Sequence, residues 1–419
     1  MVGFSLNIFC SLLLAVPACS TAPTTTATAP PASAPAATAQ ASTAPAATTA
    51  APAPGPVVGA ARLDKYLPQL KNKRVGLVIN QTSRVGSSYL VDTLRARGVN
   101  VTAIFAPEHG FRGEAADGAT IKDGRDARSG VVVRSVYGKS KKPTPEMLAD
   151  VDVLIFDIQD VGARFYTFIS TMHYVMEAAA EQDKAVIVLD RPNPNGSLVD
   201  GPVLEPAHRS FVGLDPLPIA HGLTVGELAN LLNGEKLLAG GRKCRLTVVP
   251  MAPGYTHATA YALPVRPSPN LPTAHAVALY PSICLFEGTN VSVGRGTDTP
   301  FEVIGSPSQP TTRPFSFTPS PNPGSPTPPM NGKLCYGLNL AGAPVPATTL
   351  QLGYLLDFYQ QSTDKEHFFG KYFEELSGTK QLREQIIAGK SEAEIRASWE
   401  PGLSKFKALR KKYLLYPEK

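Results

Sequence analysis

Between residues 74 and 194 the chain alternates short, unbroken apolar runs with stretches whose apolar residues recur at helical spacing. RVGLVIN (74–80), VNVTAIFAPEH (99–109), VVVRSVYG (131–138), DVLIFDIQD (152–160) and KAVIVLDRPNP (184–194) read as strands. The stretch near Tyr89–Arg97 and FISTMHYVMEAAAEQ (168–182) read as helices between them. A strand with one wet face alternates apolar and polar residues. These runs do not, so both faces are covered, as in a parallel sheet flanked by helices. The pattern predicts a Rossmann-like α/β domain over residues 58–249.

From 250 onward the texture changes. RPSPNLPT (266–273) and LYPSICLFEGTNVSVGRGTDTPFEVIG (279–305) are rich in Pro, Gly, Asn and Thr, and 306–333 reads as a Pro/Ser/Thr loop region. LREQIIAGKSEAEIRASWEPGLSKFKALRKKYLLY (382–416) reads as two amphipathic helices. The second opens near Ser391, with Glu394 in the capping-box position. A smaller α+β C-terminal domain, 250–419, is expected to dock on the first, with the active-site cleft between them.

The amino end lies outside this pattern. Residues 1–61 carry no charged side chain, so the net charge of +6 belongs to the remainder. MVGFSLNIFCSLLLAVPACS has an apolar core of signal-peptide length and then Ala18-Cys19, the arrangement of lipoprotein processing with Cys19 acylated; a plain secretory signal is the alternative. The apolar run is too short to span a membrane. Residues 20–57 are almost entirely Ala, Pro, Thr and Ser, a composition that cannot offset its ordering entropy by burial and predicts a disordered tether. Largely extended at ~3.1 Å per residue, it would reach roughly 120 Å. Export to the periplasm or outer surface is expected, with membrane contact through a lipid anchor alone.

Other functions are disfavoured by what the chain lacks. Cys10 and Cys19 lie in the leader; Cys244, Cys284 and Cys335 form an odd set without CxxC spacing. They indicate neither a disulfide framework nor a zinc site, although one pair could form in an oxidising compartment. Apart from Arg410-Lys411-Lys412 there is no basic run, which speaks against nucleic acid. No GxGxxG follows the first strand, and no P-loop, HExxH or GxSxG occurs, so neither a nucleotide, another cofactor nor a metal is expected.

The chain does offer a polar cluster after each strand: Asn80-Gln81-Thr82, Glu108-His109, Tyr137-Gly138, Asp157-Gln159-Asp160 and Asp190-Arg191-Pro192-Asn193. In an open parallel sheet the strand carboxyl ends line one edge, and ligands bind in the crevice there. Five clusters on one edge predict an active site.

APEHGFRGE, FDIQDVGARFYTF, VLDRPNPNG, DGPVLE, HGLTVGELA, PSPNLPT and LFEGTNVSVGRGTDTPFE follow one another in that order. In these motifs the chain, over roughly residues 60–419, resembles the exo-β-N-acetylmuramidase family of bacterial glycoside hydrolases, long labelled a domain of unknown function. The resemblance implies cleavage of terminal β-linked N-acetylmuramic acid from the non-reducing end of peptidoglycan fragments. It also implies a Rossmann-like domain plus a smaller C-terminal one, with the catalytic glutamate of the EHG motif at Glu108. Tyr255, His257 and Val265 depart from the family pattern, and the 306–333 loop is Pro-rich, which bears on specificity at the cleft rim.

Glycoside cleavage usually takes two carboxyl groups, ~5–5.5 Å apart for retention and ~6.5–9.5 Å for inversion, unless the substrate's acetamido group replaces one. Glu108, after an apolar strand and before Phe111, is the expected general acid, because a dry setting raises a carboxyl pKa. Asp157 and Asp160 are candidates for the second group, with Glu287 as runner-up. Arg164 is expected either to pair with an aspartate or to grip the lactyl carboxylate, which its planar fork fits. Asn80, His109, Gln159, Tyr166, Asp190, Arg191, Asn193, Asn290 and Arg295, with Glu287, complete the expected sugar-binding set. A hydrolase of another amino sugar and a tethered, non-catalytic peptidoglycan-binding lipoprotein are the alternatives.

Overall fold

The computed structural model describes residues 55–112, 122–138 and 140–419. The leader, Cys19 and the expected tether up to residue 54 lie outside the described residues.

The first half is built on one seven-stranded sheet. Its strands are β1 (Val75–Ile79), β2 (Val101–Ala106), β3 (Gly124–Arg125), β4 (Val132–Ser135), β5 (Val153–Asp157), β6 (Ala185–Leu189) and β7 (Arg245–Val249). Their spatial order is β7-β6-β5-β1-β2-β4-β3, parallel throughout except for the short edge strand β3. After β4 the chain crosses back over β1 to lay down β5. The six parallel strands thus take the doubly wound order, whose switch point falls between β1 and β5.

Period-two alternation explains why apolar runs make this sheet. Val75, Leu77 and Ile79 face one core cluster with Leu90, Val91 and Leu94 of helix α1 (Leu90–Arg95). Val78, Leu154 and Phe156 face the other, beneath α2 (Phe168–Glu181) and α3 (Val225–Gly234). Each such side chain, taken from water, contributes about 1.5–3 kcal/mol.

The second half begins with α4 (Ala274–Ile283) and a three-stranded antiparallel sheet of Val303–Ser306, Cys335–Asn339 and Phe315–Phe317. The last of these strands lies inside the stretch the sequence reads as loop. Its Phe315 and Phe317 stack with centroids 6.0 Å apart, a pairing too short to show in a periodicity. Helices α5 (Gly353–Gln361), α6 (Tyr372–Ser377), α7 (Gln381–Ile387) and α8 (Glu392–Arg410) follow. The expected capping box is present: the Ser391 hydroxyl accepts from the Glu394 N–H, and the Glu394 carboxylate accepts from the Ser391 N–H. Helix α8 packs on Val199–Val203 of a two-stranded antiparallel pair, and Arg396 bonds Asp200 at 2.6 Å. Phe168 and Val186 share a continuous core with Tyr280, Phe301 and Trp399, so the smaller C-terminal domain closes over the carboxyl edge of the sheet. Cys244, Cys284 and Cys335 are all free and buried.

Candidate active site at the carboxyl edge of the sheet

β2 stops at Ala106 because Pro107 has no N–H to continue the ladder. The chain turns at once, with the Gly110 N–H donating to Pro107 O at 2.9 Å. His109 has a φ of 64° and Gly110 a φ of 74°. Glycine adopts that left-handed region freely, whereas histidine does so at a cost of about 1–3 kcal/mol, a kind of strain that gathers at functional sites. The turn delivers Glu108 and His109 into a cavity of about 630 Å³ between the two halves of the molecule. Tyr137 and the Phe165–Phe168 segment line it from the first half; Tyr280, Glu287, Arg295 and Phe301 line it from the second.

Both oxygens of Glu108 are held. Oε1 accepts from the Tyr137 hydroxyl at 2.8 Å and Oε2 from the Thr167 hydroxyl at 2.9 Å. Burial and then the Glu108 charge push the Tyr137 phenol above its ordinary range, so it stays protonated and keeps donating. Across the cavity, Glu287 Oε1 accepts from Arg295 Nε at 2.5 Å, and Oε2 accepts from Cys284 Sγ at 3.3 Å. Burial raises the Glu287 carboxyl to about 7; the Cys284 bond opposes this and the nearby Glu108 charge adds to it. Burial brings the Arg295 guanidinium down to about 10, with the Glu108 charge opposing the shift. Two carboxyl groups in unlike environments therefore share one cavity, the usual condition for dividing acid from base work.

Most of the other expected residues are elsewhere. Asp157 is fully buried, and both its oxygens accept from Arg191, Nε at 2.6 Å and Nη2 at 2.9 Å. That closed fork corrects the expectation of a second catalytic group at Asp157 and of a sugar contact at Arg191. Asp160 is also buried, its Oδ2 accepting from the Gly162 N–H at 2.8 Å; burial raises it to about 7 against the pull of the Gly162 and Val161 N–H groups. Neither aspartate lines the cavity. Among the described residues Arg164 meets no carboxylate. Its guanidinium donates to the carbonyls of Pro202, Leu217 and Leu376, bracing the end of α6 against the first half. Gly378, at φ 76°, leaves room for it: a Cβ there would come within 2.7 Å of the guanidinium.

The same holds around the remaining strand ends. Asn80 Oδ1 accepts from Thr82, and Gln159 donates to the carbonyls of Asp160 and Pro192. Asp190 accepts from Gly226 N–H and Thr224 at the start of α3, and from Tyr416. Asn193 donates to Leu223 O, and the Asn290 backbone N–H donates to Phe368 O. Of the expected set, Glu108, His109, Tyr166, Glu287 and Arg295 share the cavity.

Residues 75–275 match the N-terminal domain, and residues 278–416 the C-terminal domain, of the family described as exo-beta-N-acetylmuramidase NamZ. The chain is 42% identical over 389 residues to the peptidoglycan beta-N-acetylmuramidase NamZ of Bacillus subtilis, a match covering 84% of this chain and 89% of that protein. The chain belongs to the NamZ family. Two crystal structures of DUF1343 family proteins from Bacteroides fragilis share the fold. One is 45% identical with a TM-score of 0.80, covering 87% of this chain and 100% of the other; the second is 31% identical with a TM-score of 0.74, covering 86% and 98%.

For this NamZ-family chain, three groups of cavity residues escape a reading by motif. Phe211 forms a shelf beside Tyr137, at 6.1 Å between centroids, with Tyr174 stacked behind it at 6.3 Å and Lys141 Nζ 4.4 Å above its ring. It belongs to an irregular loop without periodicity, so only tertiary structure reveals it. Thr167 lies inside the FDIQDVGARFYTF motif, but nothing in its type distinguishes it. The Pro-rich loop supplies Ser325, Pro326 and Thr327 to the cavity wall. Tyr255 and His257 are not at the rim: Tyr255 accepts from the Asn193 N–H, and His257 Nε2 lies 3.0 Å from Glu227, both deep under the C-terminal tail.

Proposed function

We propose that the protein is an exo-acting glycoside hydrolase that releases terminal β-linked N-acetylmuramic acid from the non-reducing end of peptidoglycan fragments. The observation that carries this reading is Glu108, locked by Tyr137 and Thr167 in a cavity enclosed by both halves of a NamZ-family chain. Glu108 donates the proton to the bridging oxygen, its two hydroxyl partners fixing the carboxyl in one orientation. Glu287, paired with Arg295, supplies negative charge to the oxocarbenium-like centre. Among the described residues Arg295 and Lys141 are cations that line the cavity, and they supply a partner for the lactyl carboxylate that Arg164 cannot reach. Incubation with a muramic-acid-terminated disaccharide is expected to release free N-acetylmuramic acid, and a glucosamine-terminated analogue is expected to be left intact. Release by the Glu108→Gln protein at the parent rate would overturn the assignment.

A second reading exchanges the two roles, and the raised Glu287 carboxyl favours it: a group that keeps its proton to about pH 7 is suited to donate it. The anomer first released, followed by proton NMR, separates inversion from retention or substrate assistance. Export belongs to the same proposal, with the leader ending before Cys19 and the low-complexity tether holding the enzyme near the cell wall. Membrane partition of the full chain against Cys19→Ser tests the anchor.

A further inference from the structure

A second cavity of about 630 Å³ opens beside the catalytic one and shares Ser268, Asn270 and Gly324 with it. It lies over the carboxyl ends of β1 and β2, and its lining is unlike that of its neighbour. Arg84, Arg112 and Arg266 line it, against a single described carboxylate, Asp298. Two of these guanidinium groups are fixed on one aromatic ring: Arg84 lies 4.4 Å and Arg112 5.2 Å from the centroid of Tyr89. Arg84 is further tied by bonds to Gln81 O at 3.2 Å and to the Tyr89 hydroxyl at 3.1 Å. The Arg112 charge is partly offset by Asp126 at 2.5 Å; among the described residues no such carboxylate holds Arg84. Gln81 adds an independent sign of a ligand. It is 8% exposed, its Nε2 donates to the carbonyls of Arg266 and Pro267, and its buried Oε1 has no donor among the described residues. A buried acceptor without a donor, on a residue that lines the cavity, is costly unless something supplies an N–H or O–H.

An exo-acting hydrolase encloses one sugar and must give the rest of the chain a way out. Resting on the function proposed above, we infer that this second cavity is the leaving-group subsite and binds a carboxylate-bearing amino-sugar chain. The departing saccharide bears hydroxyl and acetamido donors for Gln81 Oε1. It bears carboxylates for Arg84 and Arg266, from the lactyl group of the next muramic acid or from its stem peptide. A planar guanidinium already immobilised on an aromatic ring loses little freedom on gripping a carboxylate.

The test compares kcat/KM on three substrates. These are a chromogenic N-acetylmuramide, a peptide-free tetrasaccharide with muramic acid at its non-reducing end, and that tetrasaccharide with stem peptide on its internal muramic acid. In the Arg84→Gln/Arg266→Gln protein the tetrasaccharide-to-chromogen ratio is expected to fall about tenfold to a hundredfold, with the loss in KM. Asp298→Asn is expected to move the ratio the other way. A fall on the peptide-free chain assigns the lactyl carboxylate; a fall confined to the peptide-bearing chain assigns the stem. An unchanged ratio, or an equal loss on the chromogen, overturns the inference while leaving the proposed function standing. If the parent releases muramic acid from none of the three, both fall.

Discussion

The tips of β1, β5 and β6 and the tips of β2 and β4 belong to one edge of one sheet, and both carry conspicuous polar residues. At the first group those residues consume one another. Asp157 closes on Arg191, Thr82 links Asn80 to Gln159, and Asp190 seals the start of α3. At the second group the Tyr137 and Thr167 hydroxyls each donate to one oxygen of Glu108, and its carboxyl lines a cavity. The doubly wound rule puts ligands at the switch point between β1 and β5. Here that crevice is filled by an internal ion pair, and the catalytic cavity opens one strand over. A carboxylate at a strand end is therefore not chemical equipment by type alone: Asp157 spends both oxygens on Arg191 outside the cavity, whereas Glu108 lines it.

The sharpest way to break this comparison is to neutralise one carboxylate from each side. Glu108→Gln is expected to lower kcat/KM by about 10²–10⁴-fold with little change in the denaturation midpoint, since it removes the proton-transfer group while the amide oxygen still accepts from one of the two hydroxyls. Asp157→Asn is expected to do the reverse. It leaves Arg191 buried and unpaired, which costs about 3–5 kcal/mol of stability by urea titration, while turnover per folded molecule stays near the parent value. Equal effects of the two substitutions on turnover would erase the distinction between sealed and open strand ends.

The sheet was legible because buried parallel strands leave an unmistakable run of apolar residues, as in VGLVI at 75–79 and VLIFD at 153–157. The capping box at Ser391 was legible because its chemistry is local. Glu108 and Glu287 could be named from their motifs. What could not be read was the use of each polar cluster, because Asp157 and Glu108 look alike one residue at a time. The difference is set by Arg191 and Tyr137, 34 and 29 residues away. Phe211 was hidden for a related reason: it lies in an irregular loop, and its value comes from its neighbours in space.

Within the open side, the comparison narrows to Glu108 against Glu287. Activity of the parent is expected to fall as pH rises through about 7 if Glu287 is the proton donor, since its carboxyl then loses its proton. Glu287→Gln would abolish that limb and lower kcat about 10²-fold. Persistence of the limb in the variant would return the donor role to Glu108.

On the sealed side, Asp160 offers a test by stability alone. Its folded pKa, about 7, lies above the ordinary 3.8, so between these values the folded protein holds a proton that the unfolded chain has released. Stability from this group is present at low pH and is lost as pH rises, by about 2 kcal/mol between pH 5 and 7. Asp160→Asn removes the ionisation, so the variant should gain on the parent by that amount over the interval. Glu287 titrates with the same sign in both proteins and cancels in the difference. His221 stays neutral throughout, since burial and then the charges of Arg410 and Arg164 hold it near 3. A constant gap between the two proteins would mean that Asp160 is ionised in the folded state.

Phe211 should give the smallest effect, and it asks whether the open side recognises sugar as well as reacting with it. The ring is half-buried, backed by Tyr174 at an interplanar angle of 7° and tilted 53° to Tyr137. A flat apolar face beside the Glu108 hydrogen bonds suits the C–H face of a pyranose. Such a contact contributes about 0.5–1.5 kcal/mol. Phe211→Ala is accordingly expected to raise KM about twofold to tenfold with kcat retained, and Phe211→Tyr to restore it. Because Tyr137 touches both the ring and Glu108, a fall in kcat matching the rise in KM would mean something different. Phe211 would then act through Tyr137 on the orientation of the acid, and the shelf would belong to the chemistry more than to recognition.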